Sequence, residues 1–440
     1  MPVTVDRVRS DDKLPAQTQV VVIGAGIIGV SAALSLAEKG IPVVLCEKGE
    51  VAAEQSSRNW GFCRTALRDP REIALSMEAQ RMWEGMDRRI GEPTGFARAG
   101  TLFTCETEAD LAAKERWLEH ARPYQLDSRM LSAEETARLV PGSTKKWLGG
   151  LYTASDGRAE PSIAAPAMAR AIQRAGGTVM TNCAVRGIET SGGRVSAVVT
   201  EKGRIACSGV ILAGGVWSRL FSGNLGIDIP QLMVTGSVLR TAPIEGGPEC
   251  TIGTADFGMR KRADGGYTIA KRNTNITDIT PDSFRLFFDF LPVWRQNRKM
   301  VKLRLGKRFL EELRRPRRWS LDSVTPFEQV RIMDPEPSHE ALASLKAIVA
   351  RDLPAFRDMV VTQTWGGLID STPDIVPVIS TVDALPGFVI ATGFSGHGFG
   401  IGPAGGRLAA DLVTGDRPIV DPREFRLSRY RDGSNPRPHA

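Results

Sequence analysis

The chain has 440 residues, of which 42% are hydrophobic and 24% charged; this is a globular composition, and the length predicts two or three domains. No apolar run reaches the roughly 18 residues that a membrane-spanning helix needs, and residues 1–17 show no signal-peptide pattern. Six cysteines without CxxC spacing and only four histidines argue against a disulfide-reductase or metal site, so we expect no metal.

The first predicted elements lie in residues 19–47. A β-branched run from Val20 to Ile23 meets GAGIIG, a helical pattern follows to Glu38, and a second strand ends at Glu47. This order is typical of a Rossmann unit, in which the glycines allow a tight turn and close approach to a pyrophosphate, and the acid binds ribose hydroxyls. The unit does not by itself distinguish NAD from FAD. Its predicted cofactor contacts are Gly24, Ala25, Gly26, Ile27, Ile28, Gly29, Glu47 and Lys48.

Further motifs follow in chain order: SSRNWGF at 56–62, DGRAEP at 156–161, AGGVWS at 213–218, WGGLIDSTPD at 365–374 and GFSGHGFG at 393–400. Together they resemble the D-amino-acid oxidase superfamily of flavoenzymes, especially its sarcosine-oxidase and glycine-oxidase branches, and the resemblance spans the whole chain. It implies an FAD cofactor. The cysteine that sarcosine oxidases link to flavin aligns with Gly367, so we expect the FAD to be noncovalent.

The turn at 396–400 follows an apolar strand and precedes a helix, so its amides would favour the negative charge of a reduced flavin. We consider His397, in this turn, a candidate catalytic residue, and favour flavin contact over proton transfer for it. The remaining flavin contacts expected from the resemblance are Ser56, Ser57, Arg58, Asn59, Trp60, Gly61, Val185, Ala213, Gly214, Trp217, Gly367, Gly396, Gly398, Phe399, Gly400 and Ile401.

The expected fold class is α/β, with a discontinuous Rossmann-like FAD-binding domain and a second α+β substrate domain built on a mixed sheet. We assign residues 18–92, 155–228 and 360–436 to the FAD-binding domain, and 93–154 and 229–359 to the substrate domain. Residues 1–17 and 437–440 are expected to be flexible ends. The substrate is expected between the second sheet and the flavin.

Arg64 is the main candidate for catalysis and substrate binding, because its spacing matches the arginine that sarcosine oxidases place near the substrate carboxylate. The alternative is a surface salt bridge with Asp69 or Glu72. Other family anchors differ in this chain. Ile369 stands where D-amino-acid dehydrogenases and oxidases have an arginine, and Gly400 where sarcosine oxidases have a lysine.

These differences shape the expected pocket. The space left at Gly400 would admit a larger N-substituent or a second acidic arm, which favours a secondary amine. The oxygen-activating lysine of sarcosine oxidases aligns with Thr268, although Lys271 is close and is kept as a substrate-binding candidate. Ile369 and Gly400 complete the expected substrate-binding set.

A basic stretch lies in the second half of the chain. FRLFFDFLPVW, residues 284–294, precedes eleven Lys or Arg and two acids between Arg295 and Arg318. The segment 284–318 is either a peripheral membrane anchor or a core helix followed by an amphipathic one. We favour the second interpretation, with Leu305, Phe309 and Leu313 facing inward.

The resemblance implies an FAD-dependent oxidoreductase that oxidises the C–N bond of an amino acid or N-substituted amino acid. Hydride transfer to flavin N5 would give an imine that water hydrolyses. Open alternatives are an oxidase forming H2O2, a membrane-associated D-amino-acid dehydrogenase using quinone, and, remotely, a non-catalytic nucleotide- or nucleic-acid-binding protein.

The expected partners are a small-molecule substrate and an electron acceptor: quinone, an electron-transfer protein or O2. We favour a dehydrogenase, since the oxygen-activating lysine is missing. No nucleic-acid motif is present, so no nucleic-acid partner is expected. The expected location is cytoplasmic, with peripheral contact at the inner membrane face as the alternative.

Overall fold

The computed structural model describes residues 3–272, 275–298, 301–434 and 436–438. Its strands, in chain order, are β1 (Val20–Ile23), β2 (Val43–Cys46), β3 (Phe62–Cys63), β4 (Ala97–Arg98), β5 (Thr101–Cys105), β6 (Ser128–Ser132), β7 (Gly149–Thr153), β8 (Gly157–Arg158), β9 (Thr178–Met180), β10 (Val185–Ser191), β11 (Arg194–Thr200), β12 (Gly203–Ala206), β13 (Gly209–Leu212), β14 (Leu232–Thr241), β15 (Thr251–Gly253), β16 (Phe257–Lys261), β17 (Tyr267–Lys271), β18 (Asn275–Asp278), β19 (Val301–Arg304), β20 (Val361–Ser371), β21 (Val378–Thr381) and β22 (Phe388–Thr392).

The α-helices are α1 (Ile27–Glu38), α2 (Gln55–Arg58), α3 (Ile73–Ile90), α4 (Glu108–Ala121), α5 (Ala133–Leu139), α6 (Pro161–Arg174), α7 (Ser218–Asn224), α8 (Pro281–Arg285), α9 (Phe287–Asn297), α10 (Lys307–Arg314), α11 (Pro326–Gln329), α12 (His339–Asp352) and α13 (Gly398–Thr414). Short 3-10 helices lie at Pro70–Glu72, Arg122–Tyr124, Gly215–Trp217, Pro354–Phe356, Arg423–Phe425 and Leu427–Tyr430.

The first sheet contains both strands of the predicted Rossmann unit. Its order is β21-β22-β13-β1-β2-β9, and all neighbours are parallel except β21 and β22. Strand β1 is apolar on both faces because both are covered. Val20 and Val22 pack with residues of α1, α6 and α13, whereas Val21 packs with residues of β10, β11 and β12.

The second sheet is mixed, as predicted. Its main path is β19-β18-β14-β17-β16-β15-β5-β7-β6, and β20 pairs with β14 over its whole length. Strand β20 thus belongs to the second sheet, although it opens the third segment assigned to the FAD-binding domain. Helix α12 covers one face, where Leu342, Leu345 and Val349 pack with Ile269 and Tyr267. The α/β class with a second mixed sheet is confirmed.

The amino-terminal segment, expected to be a flexible end, is held along the first domain from Asp6 onward. The amide of Asp6 donates to the Ser162 carbonyl at 3.1 Å, and the amide of Asp11 donates to the Val179 carbonyl at 2.8 Å. Gln17 forms a β-bridge with Ala206. Backbone pairing therefore offsets the polar composition from which flexibility was expected. Residues 1–2 and 439–440 lie outside the described residues.

The basic segment carries exposed apolar side chains. Leu305 is 71% exposed and Leu313 is 59% exposed, so the prediction that they face inward is wrong. Helix α10 begins only at Lys307, which leaves Leu305 before it and out of helical register. Phe309 is half-buried and meets Phe284 edge to face at 6.3 Å. In the part of the chain described, no helix is long and apolar enough to cross a membrane.

Candidate active site

A cleft opens at the carboxyl ends of β1, β2 and β13. The glycine turn beside it excludes side chains. A Cβ at Gly24, where φ is +100°, would lie 2.5 Å from the Ala213 carbonyl oxygen, and one at Gly29 would lie 1.8 Å from that of Gly24. The backbone alone therefore faces the cleft here, as pyrophosphate binding requires.

Glu47 lies at the carboxyl end of β2 and lines the cleft. The amides of Ala25 and Gly49 each donate to its carboxylate at 2.8 Å. Burial raises the pKa of Glu47, while the charge of Lys48 and these amides oppose the rise. Its oxygens keep lone pairs for ribose hydroxyls.

The segment 330–334 covers the side of the cleft near Glu47. Lys48 Nζ donates to the carbonyl of Arg331 and to Glu54, both at 2.7 Å, and lies over the Trp217 ring at 4.7 Å. The Met333 amide donates to Glu54 at 2.9 Å. Glu54, Arg331 and Met333 line the cleft but were not predicted, since nothing in the sequence links them to the glycine turn.

The turn before α13 forms the other end of the cleft. Asp370 accepts from the Gly393 amide at 2.7 Å, and its carbonyl accepts from the Ser395 amide at 2.8 Å. Burial raises the pKa of Asp370. These bonds fix the turn at the end of β20, so that Gly396, Gly398 and Phe399 line the cleft.

Gly400 lies inside the packing of α13. A Cβ there would be 2.7 Å from the Phe62 carbonyl oxygen and 3.1 Å from an Arg68 nitrogen, and Trp83 donates to the Gly400 carbonyl at 2.8 Å. The missing side chain therefore opens no space for an N-substituent, contrary to the expectation from the sequence. Its place is taken by backbone and by Arg68.

His397 does not line the cleft, and its ring meets Glu72 at the start of α3. Its Nδ1 lies 3.0 Å from Oε2 of Glu72, a carboxylate with no exposed side-chain surface. Burial lowers the pKa of His397, the charge of Glu72 opposes this, and the charges of Arg68 and Arg64 add to the lowering. A neutral ring donates Nδ1–H to Glu72 and keeps Nε2 as an acceptor.

Arg64 follows β3 and is half-buried. Its guanidinium lies 5.2 Å from the centroid of Phe103 and donates to the Ala66 carbonyl. The alternative salt bridges with Asp69 and Glu72 do not form: Asp69 pairs with Arg71 at 2.8 Å, and Glu72 pairs with His397. Burial lowers the pKa of Arg64, and the charges of Arg68 and Arg272 contribute.

Two unpredicted arginines accompany Arg64. Arg272 lies 5.6 Å from the centroid of Phe103, and its Nη1 donates to the Thr254 carbonyl at 2.7 Å. Arg68 is 2% exposed, and its Nε donates to the Arg64 carbonyl at 3.2 Å. We call Arg64, Arg68 and Arg272 the arginine cluster. No motif marks Arg272, whereas Arg68 offers only its spacing of four residues from Arg64.

Many predicted cofactor residues line the cleft: Gly24, Gly26, Ile27, Ile28, Glu47, Lys48, Ser56, Arg58, Asn59, Val185, Ala213, Gly214, Trp217, Gly396, Gly398 and Phe399. Others serve the surrounding packing. Trp60 would contact any Cβ at Gly258, and a Cβ at Gly61 would collide with Arg260. The residues outside the lining are Ala25, Gly29, Ser57, Trp60, Gly61, Gly367, His397, Gly400 and Ile401.

The remaining substrate candidates are separated by the sheet. The Ile369 side chain lies 3.7 Å from the Cβ positions of Gly236 and Gly396, next to the turn. Lys271 instead donates to Ser344 on α12 at 2.6 Å. Arg272, which follows β17, instead meets Phe103 and the Thr254 carbonyl. The structure thus does not bring Lys271 to the arginine cluster.

Comparison with known proteins agrees with this geometry. Residues 19–412 match the DAO family model, described as FAD dependent oxidoreductase. The chain is similar to L-amino acid deaminase from Proteus myxofaciens in complex with anthranilate, with 34% identity, 98% of both chains covered and a TM-score of 0.95. L-amino acid deaminase from Proteus vulgaris gives 32% identity over 96% of this chain and 100% of that one, with a TM-score of 0.92.

Glycine oxidase from Pseudomonas aeruginosa is 27% identical over 92% of this chain and 98% of its own length. The predicted resemblance, the FAD cofactor and the class of enzyme, which oxidises C–N bonds of amino acids, are confirmed. The glycine turn and Glu47, which meet at the cleft, fit FAD. The family match over most of the chain shows that it belongs to the DAO family of FAD-dependent oxidoreductases.

Proposed function

We propose that this enzyme oxidises an α-amino acid whose carboxylate is held by Arg64, and that it passes the electrons to an acceptor other than O2. One observation carries the proposal: Arg64 and Arg272 lie over Phe103, and neither has an acidic partner within 4.0 Å among the described residues. Arg64 also lies close enough to His397 to affect its pKa. Bound FAD would accept the hydride from the carbon beside the nitrogen, and water would hydrolyse the resulting imine.

The residues around the turn supply orientation and protonation. The guanidinium of Arg64 would hold the substrate carboxylate through two parallel hydrogen bonds and so fix the oxidisable C–H. Nε2 of His397 would accept a hydrogen bond from the substrate ammonium. A neutral amine is needed for hydride loss, and a neutral imidazole held by Glu72 is suited to take up that proton.

The preference for a secondary amine loses one support, because Gly400 is packed rather than open. Similarity to the two L-amino acid deaminases favours a primary amine of L configuration at least as strongly as the sequence favours a secondary amine. The proposed substrate is therefore an L-α-amino acid, with N-substituted forms as the second candidate.

A dehydrogenase is favoured by the residues near the expected position of the oxygen-activating lysine. Thr268 occupies that position and accepts from Arg262 at 3.3 Å, while Lys271 is bound to Ser344 on the other face. Thr268 carries no ammonium group, and that of Lys271 does not lie beside the turn before α13.

The segment 284–318 supports an acceptor at a membrane. Phe284, Phe287 and Phe288 are 67%, 51% and 85% exposed, and Leu305 and Leu313 are exposed as well. The phenylalanines precede, and the leucines lie within, the stretch from 295 to 318, which carries eleven Lys or Arg and two acids. Exposed aromatic groups beside cations are typical of peripheral binding to anionic lipid. We propose that this segment contacts the membrane from which the acceptor is reached.

The experiment is anaerobic reduction of the FAD-loaded enzyme by a panel of L-amino acids and N-methylated amino acids. Loss of the yellow flavin absorbance by at least one α-amino acid, much slower in Arg64→Ala, is the expected result. Lys261→Met is the control, since Lys261 pairs with the exposed Glu249, which lies in the loop before β15. Failure of every amino acid to reduce the flavin would contradict the proposal.

A further inference from the structure

The arginine cluster has more positive charge than the surrounding acids neutralise. Arg68 is almost fully buried, and its Nη1 has no hydrogen-bond partner among the described residues. No salt bridge within 4.0 Å joins any of the three guanidinium groups to an acid of the described residues, and the side chains of Arg64 and Arg272 donate to backbone carbonyls. A charge that is removed from water without a partner is costly, so the buried Arg68 beside two half-buried arginines favours a bound anion.

Two carboxylates lie nearby, but both are occupied. Asp156 accepts from the amide and hydroxyl of Thr65, at 2.6 and 2.8 Å, and from the Ala66 amide at 3.2 Å. Glu72 is bonded to His397. Three guanidinium groups therefore face two carboxylates that are already used by other donors.

Two other buried arginines of this chain are each paired with one carboxylate through two nitrogens. Arg260 meets Glu160 at 2.8 and 2.9 Å, and Arg429 meets Asp374 at 3.0 and 3.1 Å. The contrast separates the arginine cluster from arginines that only hold the fold together.

We propose that the substrate carries two carboxylates, as an acidic amino acid does. Arg64 would hold the carboxylate beside the reacting carbon, and Arg272 would hold the second one. Their guanidinium groups lie 5.2 and 5.6 Å from the centroid of the same Phe103 ring, and the charge of Arg272 acts on Arg64. Arg68, which lies behind Arg64, adds positive charge and is a positioning residue.

This inference rests on the proposed function, and a binding measurement separates the two. Glutarate and pentanoate have the same chain length but two carboxylates and one, and neither is an amine. Each is titrated into the FAD-loaded enzyme, and binding is followed by the change in flavin absorbance. Glutarate is expected to bind about 10- to 100-fold more tightly, the range for charge-assisted hydrogen bonds.

Arg272→Leu should lower glutarate affinity to that of pentanoate and leave pentanoate unchanged. Arg272→Lys should restore part of the difference, because an ammonium keeps the charge without the planar fork. Lys261→Met, which removes a cation from β16, should retain the full preference. The FAD content and Tm of each variant show whether it folds. If Arg272→Leu does not fold, Arg272→Lys replaces it in the test.

Equal affinity for the two acids would overturn the inference, as would a preference that survives in Arg272→Leu. Oxidation of glutamate and norvaline, which differ by one carboxylate, completes the test. A kcat/KM clearly higher for glutamate supports the inference, whereas equal values overturn it and leave the proposed function intact. If neither these nor other amino acids reduce the flavin, the proposed function itself fails.

Discussion

Oδ1 of Asp156 accepts hydrogen bonds from both the amide and the hydroxyl of Thr65, at 2.6 and 2.8 Å. The two bonds fix the loop that carries Arg64, because they join the residue before β8 to the segment that follows β3. The same carboxylate lies close enough to Arg64 for each charge to affect the other's pKa. Protonation of Asp156 should therefore alter anion binding at Arg64.

The affinity for a carboxylate should fall as the pH rises through about 6. Burial raises the pKa of Asp156 from 3.8 to about 6, with the bonds from Thr65 and Ala66 opposing the rise. Below this pH the group is neutral, and the charge of Arg64 is fully available to the ligand. Above it the carboxylate competes for that charge. Pentanoate titrations of the FAD-loaded enzyme between pH 5 and 8 measure the effect, and Asp156→Asn should flatten it.

The same shift predicts the pH dependence of stability. The folded pKa of Asp156 is higher than the unfolded value, so folding favours the protonated form. The stabilisation is fully present below about pH 3.8 and is lost as the pH rises through about 6. The free energy of unfolding of Asp156→Asn should lack this decline. A wild-type decline identical to that of the variant would assign it to another group.

Removal of the Arg64 side chain should strongly reduce catalysis. Arg64→Ala is expected to cost about 2–5 kcal/mol in kcat/KM on the best amino acid substrate, as loss of one partner of a buried charge pair does. Arg64→Lys should recover only part, because an ammonium does not reproduce the bidentate fork. Near-normal kcat/KM in the alanine variant, with full FAD content, would show that Arg64 does not bind the substrate carboxylate.

The FAD should be released completely when the enzyme is denatured. Gly367 stands where sarcosine oxidases have their linking cysteine, and the six cysteines are all buried and free. Glu47→Ala should weaken FAD retention, because it removes the carboxylate that the cleft offers to ribose. After acid precipitation, the absorbance of the supernatant measures how much FAD the wild type and Glu47→Ala had retained. The absorbance of the pellet measures any FAD that is covalently bound. Yellow colour that remains on the wild-type polypeptide would show a covalent bond.

The sequence allowed prediction of the parts whose residue types are required locally. Val20–Ile23, the glycine turn and Glu47 lie within one short stretch, and each residue type has a local reason. Arg272 could not be found in this way, because only the folding of β17 beside β16 brings it to Phe103. Open space was predicted at Gly400, because a sequence pattern does not show which residues pack against a glycine. The two leucines of α10 and its flank were misplaced because the helix starts later than its apolar spacing indicates.

The exposed apolar residues of 284–318 should bind anionic membranes. Phe287 and Phe288 are adjacent on α9, and their side chains project into solvent with exposures of 51% and 85%. Full burial of one such ring is worth about 1.5–3 kcal/mol, and each cation near an anionic surface adds about 1 kcal/mol. The double variant Phe287→Ser/Phe288→Ser should therefore lose at least about tenfold in partitioning to phosphatidylglycerol vesicles.

Leu148→Ser is the matched control, since Leu148 is 45% exposed and lies outside the segment. It should bind vesicles as the wild type does. Binding should also weaken at high salt, because salt screens the charges of the lysines and arginines.

If the segment 284–318 gives access to an acceptor in the membrane, the double variant should reduce an artificial dye at the wild-type rate but transfer electrons more slowly to a membrane quinone. Peroxide formation equal to dye reduction would instead identify O2 as the acceptor, and unchanged vesicle binding would show that these phenylalanines contact something other than lipid.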